Sequence, residues 1–333
     1  MNIDANATEI MPRVNKALSK AGAADQRSID RGKFTMYDGP IVESHHHLWE
    51  WRNYPWLTAP ITPKMYGSNY QPLRQDYLVK DLLADFGANN VVKSVHVQAN
   101  YDPSDPVGES RWLQTQADRT GFPHAIIGHA VMTDPNVEEI LQGHRQYANT
   151  RGVRHQLHFW EGDPLRCRTD RPDLCITDEF QRGIELLKRY DLSFELQGFS
   201  HQFEYFAEMI GNHPETDFCL VHAGMLTADD DATVNAWKEG LEHLHPLPNL
   251  WIKCSGLNFF TAKCDENHMR ITLDHLLDRF GGDRCFFGSN FPLEKLWTSY
   301  DDLVTTTKRI LEGRPDDEQR RYFHDTATSF YRI

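Results

Sequence analysis

The run Glu43-Ser44-His45-His46-His47-Leu48-Trp49 holds the densest reactive chemistry in the chain. In an extended strand alternate side chains share a face, so His45 and His47 point together and His46 points away. Two adjacent imidazoles can ligate a metal or move protons near neutral pH. His222 closes the apolar run Phe218-Cys219-Leu220-Val221 and offers a third imidazole. Arg154, in Gly152–Leu157, has the planar fork of donors that holds a carboxylate through two parallel hydrogen bonds.

These residues sit on short β-rich runs: Ile41–Trp49, Val91–Ala99, Ala125–Val131, Gly152–Leu157, Leu192–Gly198, Asp217–Gly224, Leu250–Leu257 and Cys285–Pro292. Amphipathic stretches such as Leu78–Phe86, Gly108–Thr120, Thr177–Tyr190, Gln202–Asn212 and Met269–Phe280 separate several of them. Strand and helix in repeated alternation predict parallel βαβ units, and eight of them in about 250 residues predict a (β/α)8 barrel. A doubly wound sheet is the competitor, but no glycine-rich phosphate loop follows any strand. Polar residues gather at the C-terminal ends of the strands: His45, His47, Gln98, His129, Arg154, Gln197, His222, Ser255 and Asn290. A barrel's active site forms at that face, and polar groups aimed into an apolar barrel need partners.

The 333 residues carry 35 Lys+Arg against 48 Asp+Glu, a formal charge of −13. That balance argues against nucleic acid as the partner, and no apolar run approaches the roughly 18–20 residues that span a bilayer. A small anionic ligand stays compatible, because a few arginines can line a cleft whatever the global charge. Residues 1–36 lack the apolar core of a secretory signal and read as a loosely held extension to a barrel over 37–333. The six cysteines contain no CxxC pair, which favours free thiols in a reducing cytoplasm. Cys167 and Cys175 flank one loop and are the single pair whose spacing leaves bonding open.

The HxH of His45 and His47, the His222-Ala223-Gly224 after the sixth run and Phe287-Gly288-Ser289-Asn290-Phe291-Pro292 on the eighth resemble the amidohydrolase superfamily. More narrowly they look like its lactonase branch. Val95–Ala99, Arg151–Arg154, Leu192–Gln197, Lys253–Leu257 and the closing Thr326-Ala327 and Phe330-Tyr331-Arg332 fit the same resemblance, which covers about residues 37–333. It implies a barrel hydrolase with its site at the strand ends.

The metal-dependent members hold metal through the first-strand pair, a Lys or Glu on strand four, histidines on strands five and six, and an Asp on strand eight. Here strand four offers Arg154 and His155, strand five Gln197, and strand eight Asn290. A neutral amide binds a divalent ion far more weakly than a carboxylate and takes no proton at neutral pH. The usual binuclear centre is therefore not expected. A mononuclear zinc on His45, His47 and His222 is the alternative to a site with no cofactor.

The leading expectation is a hydrolase of a carboxylate-bearing lactone or related cyclic ester, in breakdown of a sugar acid or aromatic compound. His45, His47, His222 and Asn290 are its catalytic candidates. Arg154, Trp49, Gln98, Gln197 and His158 are its substrate contacts, with Lys253 as an assistant and Glu195 or Glu294 as alternative bases. The aromatic Trp49–Trp56 segment and His158-Phe159-Trp160 suit a flat cyclic ligand. The other readings are a lactone isomerase or decarboxylase on the same scaffold, or a binding protein without catalysis. Barrels of this size often pair, which leaves a homodimer open.

Overall fold

The computed structural model describes residues 36–333. The extension expected over residues 1–36 lies, but for Met36, outside the described residues. Eight strands appear in order: β1 Ile41–His46, β2 Val91–Val97, β3 Ala125–His129, β4 Thr150–Gln156, β5 Ser193–Gln197, β6 Phe218–Leu220, β7 Leu250–Cys254 and β8 Cys285–Phe287. Each pairs in parallel with the next, giving one sheet of order β1 to β8. The helices are α1 Val79–Phe86, α2 Gly108–Thr120, α3 Val137–Arg145, α4 Asp178–Arg189, α5 Phe203–Asn212, α6 Asp231–Leu244, α7 Glu266–Phe280 and α8 Tyr300–Leu311. This is a (β/α)8 barrel. No helix among the described residues is long and apolar enough to cross a membrane.

The seam between β8 and β1 closes through the segment just after β8. His47 N–H donates to the Phe291 carbonyl at 2.7 Å, and Asn290 N–H donates to the His45 carbonyl at 2.6 Å. Glu43 joins the closure from a fully buried position, accepting from the backbone of Ser289 and His45 at 2.9 Å and from the Tyr300 hydroxyl at 2.9 Å. Burial pushes its carboxyl up to about 7, because three donors offset only part of the lost hydration.

The barrel floor is apolar. Val42, Val95, Ile127, Cys219 and Phe286 pack there against Phe330 and Tyr331 of the last helix, α9 Thr326–Tyr331. Above it Glu195 takes Lys253 Nζ on both oxygens, at 2.7 and 2.8 Å, and the Tyr331 hydroxyl at 2.7 Å. All three side chains are buried. Such a pair is costly to break, since removing one partner strands the other charge in the interior. Lys253 is therefore not a substrate contact and Glu195 is not a free base; each occupies the other.

Strand β1 carries the feature that aims the site. Glu43 pairs with Ser94 and His46 with His96, so β1 spends three steps where β2 spends two. This one-residue bulge reverses the in–out alternation. Val42 faces the floor below the bulge, and His45 and His47 reach the mouth above it. His46 instead turns to the wall, with Nε2 at 2.9 Å from Ser94 Oγ.

Candidate active site

Three imidazoles meet at the mouth. The His45 ring lies 4.7 Å from His222 and 5.2 Å from His47, centroid to centroid. His222 gets there by leaving the ladder: His222, Ala223, Gly224 and Met225 all have positive φ, between 53° and 68°. Four successive left-handed residues are rare for L-amino acids and carry strain. Room for the ring comes from Gly256, φ +61°, where a Cβ would lie 2.7 Å from His222 Nδ1. Asn290, φ 71°, makes the equivalent turn after β8.

Each ring is tied through Nδ1. His47 Nδ1 lies 2.7 Å from the Val97 carbonyl, which can only accept, so this nitrogen carries the proton. His47 Nε2 then bears the lone pair, and its neighbour at 3.1 Å is the Asn290 amide. The amide must present its NH2 there, because two acceptors do not bond. Asn290 thereby keeps its oxygen free. Ser255 Oγ lies 3.0 Å from His222 Nδ1 and 3.2 Å from His45 Nδ1.

Burial is the largest cause that keeps these rings neutral. It pushes His47 down to about 3 with help from the Arg154 charge, and His222 well below the usual imidazole range with the same help. His45 falls well below that range through burial and then Lys253. Burial also lowers Arg154, to about 10, which leaves it a cation at neutral pH. Arg154 Nη2 donates to the Gln98 carbonyl at 2.5 Å, while its Nε has no partner among the described residues.

The cavity at the mouth has a volume of about 230 Å³. His47, His222 and Asn290 line its base, with Arg154, Gln197 and His158 beside them. Trp49, Trp56, Tyr66 and Phe259 form aromatic walls, and Lys64 and Arg168 add cations. None of the lining residues is an aspartate or glutamate.

Most residues singled out from the sequence meet here. His45 sits just beneath, fully buried, and touches the cavity through its two histidine neighbours. Gln98 contributes its carbonyl to Arg154 while its side chain turns to the Asn100 backbone, at 2.8 Å. His129 stays outside the lining, and its carbonyl accepts from His144 at 2.9 Å. Glu294 is fully buried and away from the cavity lining, and burial raises its carboxyl to about 8 against the opposing influence of Asn258. Cys167 and Cys175 are both free thiols. Lys64, Tyr66, Arg168 and Phe259 were missed because they come from loops whose sequence has no periodicity to read.

Zinc fits this ligand set poorly. The cavity offers no anionic ligand, and the Arg154 guanidinium is near enough to depress both His47 and His222. A dication bound there would meet that same charge. The set suits an anion approached by neutral imidazoles.

Comparison with known proteins agrees with this geometry. The model of the amidohydrolase family matches residues 42–333. A Sinorhizobium fredii protein designated y4mH is 37% identical over 300 residues, covering 90% of this chain and all of that protein. The L-fucono-1,5-lactonase of Burkholderia multivorans is 28% identical over 291 residues, covering 84% of this chain and 91% of the enzyme. A crystal structure of a Burkholderia multivorans amidohydrolase with bound zinc superposes with a TM-score of 0.74 at 25% identity, covering 89% of this chain and all of that one. With the eight-stranded barrel, the HxH pair and the sixth-strand histidine in place, this chain belongs to the amidohydrolase family.

Proposed function

We propose that this protein is a hydrolase that opens a lactone, or a related cyclic ester, bearing a carboxylate, and that it does so without a metal. One observation carries the reading: in a chain of net charge −13, the cavity gathers Arg154, Arg168 and Lys64 and no carboxylate. Arg154 is buried and the other two cations stand nearer the solvent, so the cavity favours an anionic ligand. The aromatic walls suit the faces of a ring.

In this reading Arg154 holds the substrate and stands by the carbonyl oxygen. The free oxygen of Asn290 orients a water. With Nδ1 tied to Ser255, His222 offers Nε2 as the base. Water adds to the carbonyl carbon as its proton passes to His222 Nε2, and the oxyanion forms beside Arg154. The tetrahedral intermediate then expels the ring oxygen, which takes that proton back from His222. The products are a hydroxy acid and the unchanged enzyme. A bound carboxylate offsets the Arg154 charge, which raises the basicity of His222 when it is needed.

The test is chelator-treated protein against a panel of carboxylated lactones, following acid release with a pH indicator. Turnover that needs no metal is expected. Activity restored only by zinc would overturn the metal-free part. Release of carbon dioxide, or a new lactone without acid, would replace hydrolysis by decarboxylation or isomerisation. Silence in every condition would leave a binding protein.

A further inference from the structure

Ser255 is fully buried, and its hydroxyl has two hydrogen-bond partners among the described residues, Nδ1 of His45 and Nδ1 of His222. A hydroxyl has one proton. It donates to one ring and accepts from the other, so one ring bears its hydrogen on Nδ1 and the other on Nε2. The base role of His222 needs its lone pair on Nε2, which places its hydrogen on Nδ1. His222 therefore donates through Nδ1 and keeps a lone pair on Nε2, and His45 accepts at Nδ1 and carries its hydrogen on Nε2. That N–H is buried with no polar partner among the described residues. It lies in a ring pair with His47 at 84°, a geometry in which a ring edge can donate to a ring face.

We infer that Ser255 is a positioning residue that locks His45 and His222 in opposite tautomers, and that this lock keeps the three-histidine cluster an acid–base site instead of a metal centre. A metal on three imidazoles needs three lone pairs converging on one point. The lock leaves one on His222 and blocks that of His45 with its Nε2–H, while the Asn290 amide already takes the lone pair of His47. The surroundings hold the hydroxyl in this role. His222 is pinned by its left-handed turn and by Gly256, and His45 by the bulge in β1. Neither ring can swing away to free the hydroxyl. The opposition of tautomers rests on these hydrogen bonds and not on the identity of the substrate, while which ring holds which rests on the base role proposed for His222.

The first measurement uses the unaltered full-length protein. Long-range proton–nitrogen correlation NMR distinguishes a protonated ring nitrogen from a bare one. One ring protonated at Nδ1 and the other at Nε2 is expected for the pair; the same tautomer in both overturns the lock. The second measurement is zinc affinity by equilibrium dialysis with zinc alone. Ser255→Ala is expected to bind zinc at least about tenfold more tightly than the unaltered protein, the scale on which outer partners tune a metal site. Ser255→Thr keeps the hydroxyl and should stay near the unaltered value. Equal affinity in the Ala variant and the unaltered protein overturns the proposed consequence. Should the Ala variant fail to fold, the NMR result on the unaltered chain still decides.

Discussion

His47 and Asn290 meet across the barrel seam, ring nitrogen to side-chain amide at 3.1 Å. The backbone on both sides is already joined there by His47 N to Phe291 O and Asn290 N to His45 O. An amide and a carboxylate would make different contacts here. An Asp would take a proton, whereas Asn290 gives a hydrogen to His47 and leaves its oxygen without a partner among the described residues. The burden of proton transfer moves to the imidazoles.

That change is measurable at His222 and His47. His222→Gln removes the base, and His47→Ala removes the partner that orients Asn290. Either should lower kcat/KM by at least about a hundredfold, the usual scale for a general base or an oriented catalytic group. His222→Gln should do so through kcat with KM nearly unchanged. A loss under threefold at His222 would take the base role from it.

The charge on the substrate separates the two roles of Arg154, anchoring and oxyanion stabilisation. Arg154→Met should raise KM for a carboxylated lactone by about 10- to 100-fold, the worth of a charged, two-pronged hydrogen bond. The methyl ester of the same lactone has no charge to hold and should lose far less affinity. Equal losses on acid and ester would show that Arg154 does not anchor the carboxylate.

The lowered basicities set the pH profile. A base must be neutral to act, and burial and Arg154 hold His222 well below the usual imidazole range. kcat/KM should therefore stay level as pH falls through 6.5, where an ordinary histidine would switch off. On the alkaline side Arg154, lowered to about 10, loses its charge and KM should rise. An acid limb centred near 6.5 would mean that the base is a solvated histidine elsewhere.

Glu294 gives a test of stability instead of activity. Its carboxyl rises from 4.5 to about 8 because burial outweighs the opposing influence of Asn258. Below pH 4.5 the folded and unfolded chains are both protonated there. Between 4.5 and 8 the unfolded chain gives up its proton first, so stability drains away and stays lost above 8. Glu294→Gln is neutral at every pH. At pH 9 it should exceed the unaltered protein by a few kcal/mol, since each tenfold difference in proton affinity between folded and unfolded chains is worth about 1.4 kcal/mol. The two proteins should converge near pH 4. Parallel Tm curves across that range would show that Glu294 is not buried as described.

The eight strands were legible because each is a short apolar run followed by helical periodicity. Their ends were not. The expected runs through Trp49, Gly224 and Pro292 overshoot β1, β6 and β8, which stop at His46, Leu220 and Phe287. Past β6 and β8 the chain leaves the ladder in turns at His222 and Asn290 that need positive φ, and apolar composition does not register a turn. The site's base was legible for a related reason: polar residues ending apolar strands stand out. Alternation placed Glu195 and Lys253 toward the interior but could not show that they neutralise each other. The expected facing of His45 and His47 was right in outcome. Strict alternation carried up from Val42 would have chosen His46.

The β1 bulge means that this site is encoded in backbone phase as well as in residue identity. At the present count of residues, a regular strand carried up from Val42 would bring the middle histidine of the three to the mouth in place of its neighbours. A relative with one residue fewer between Glu43 and His46 would reach the same facing with no bulge at all. Matching letters across this segment therefore establishes a shared site only where count and bulge are read together.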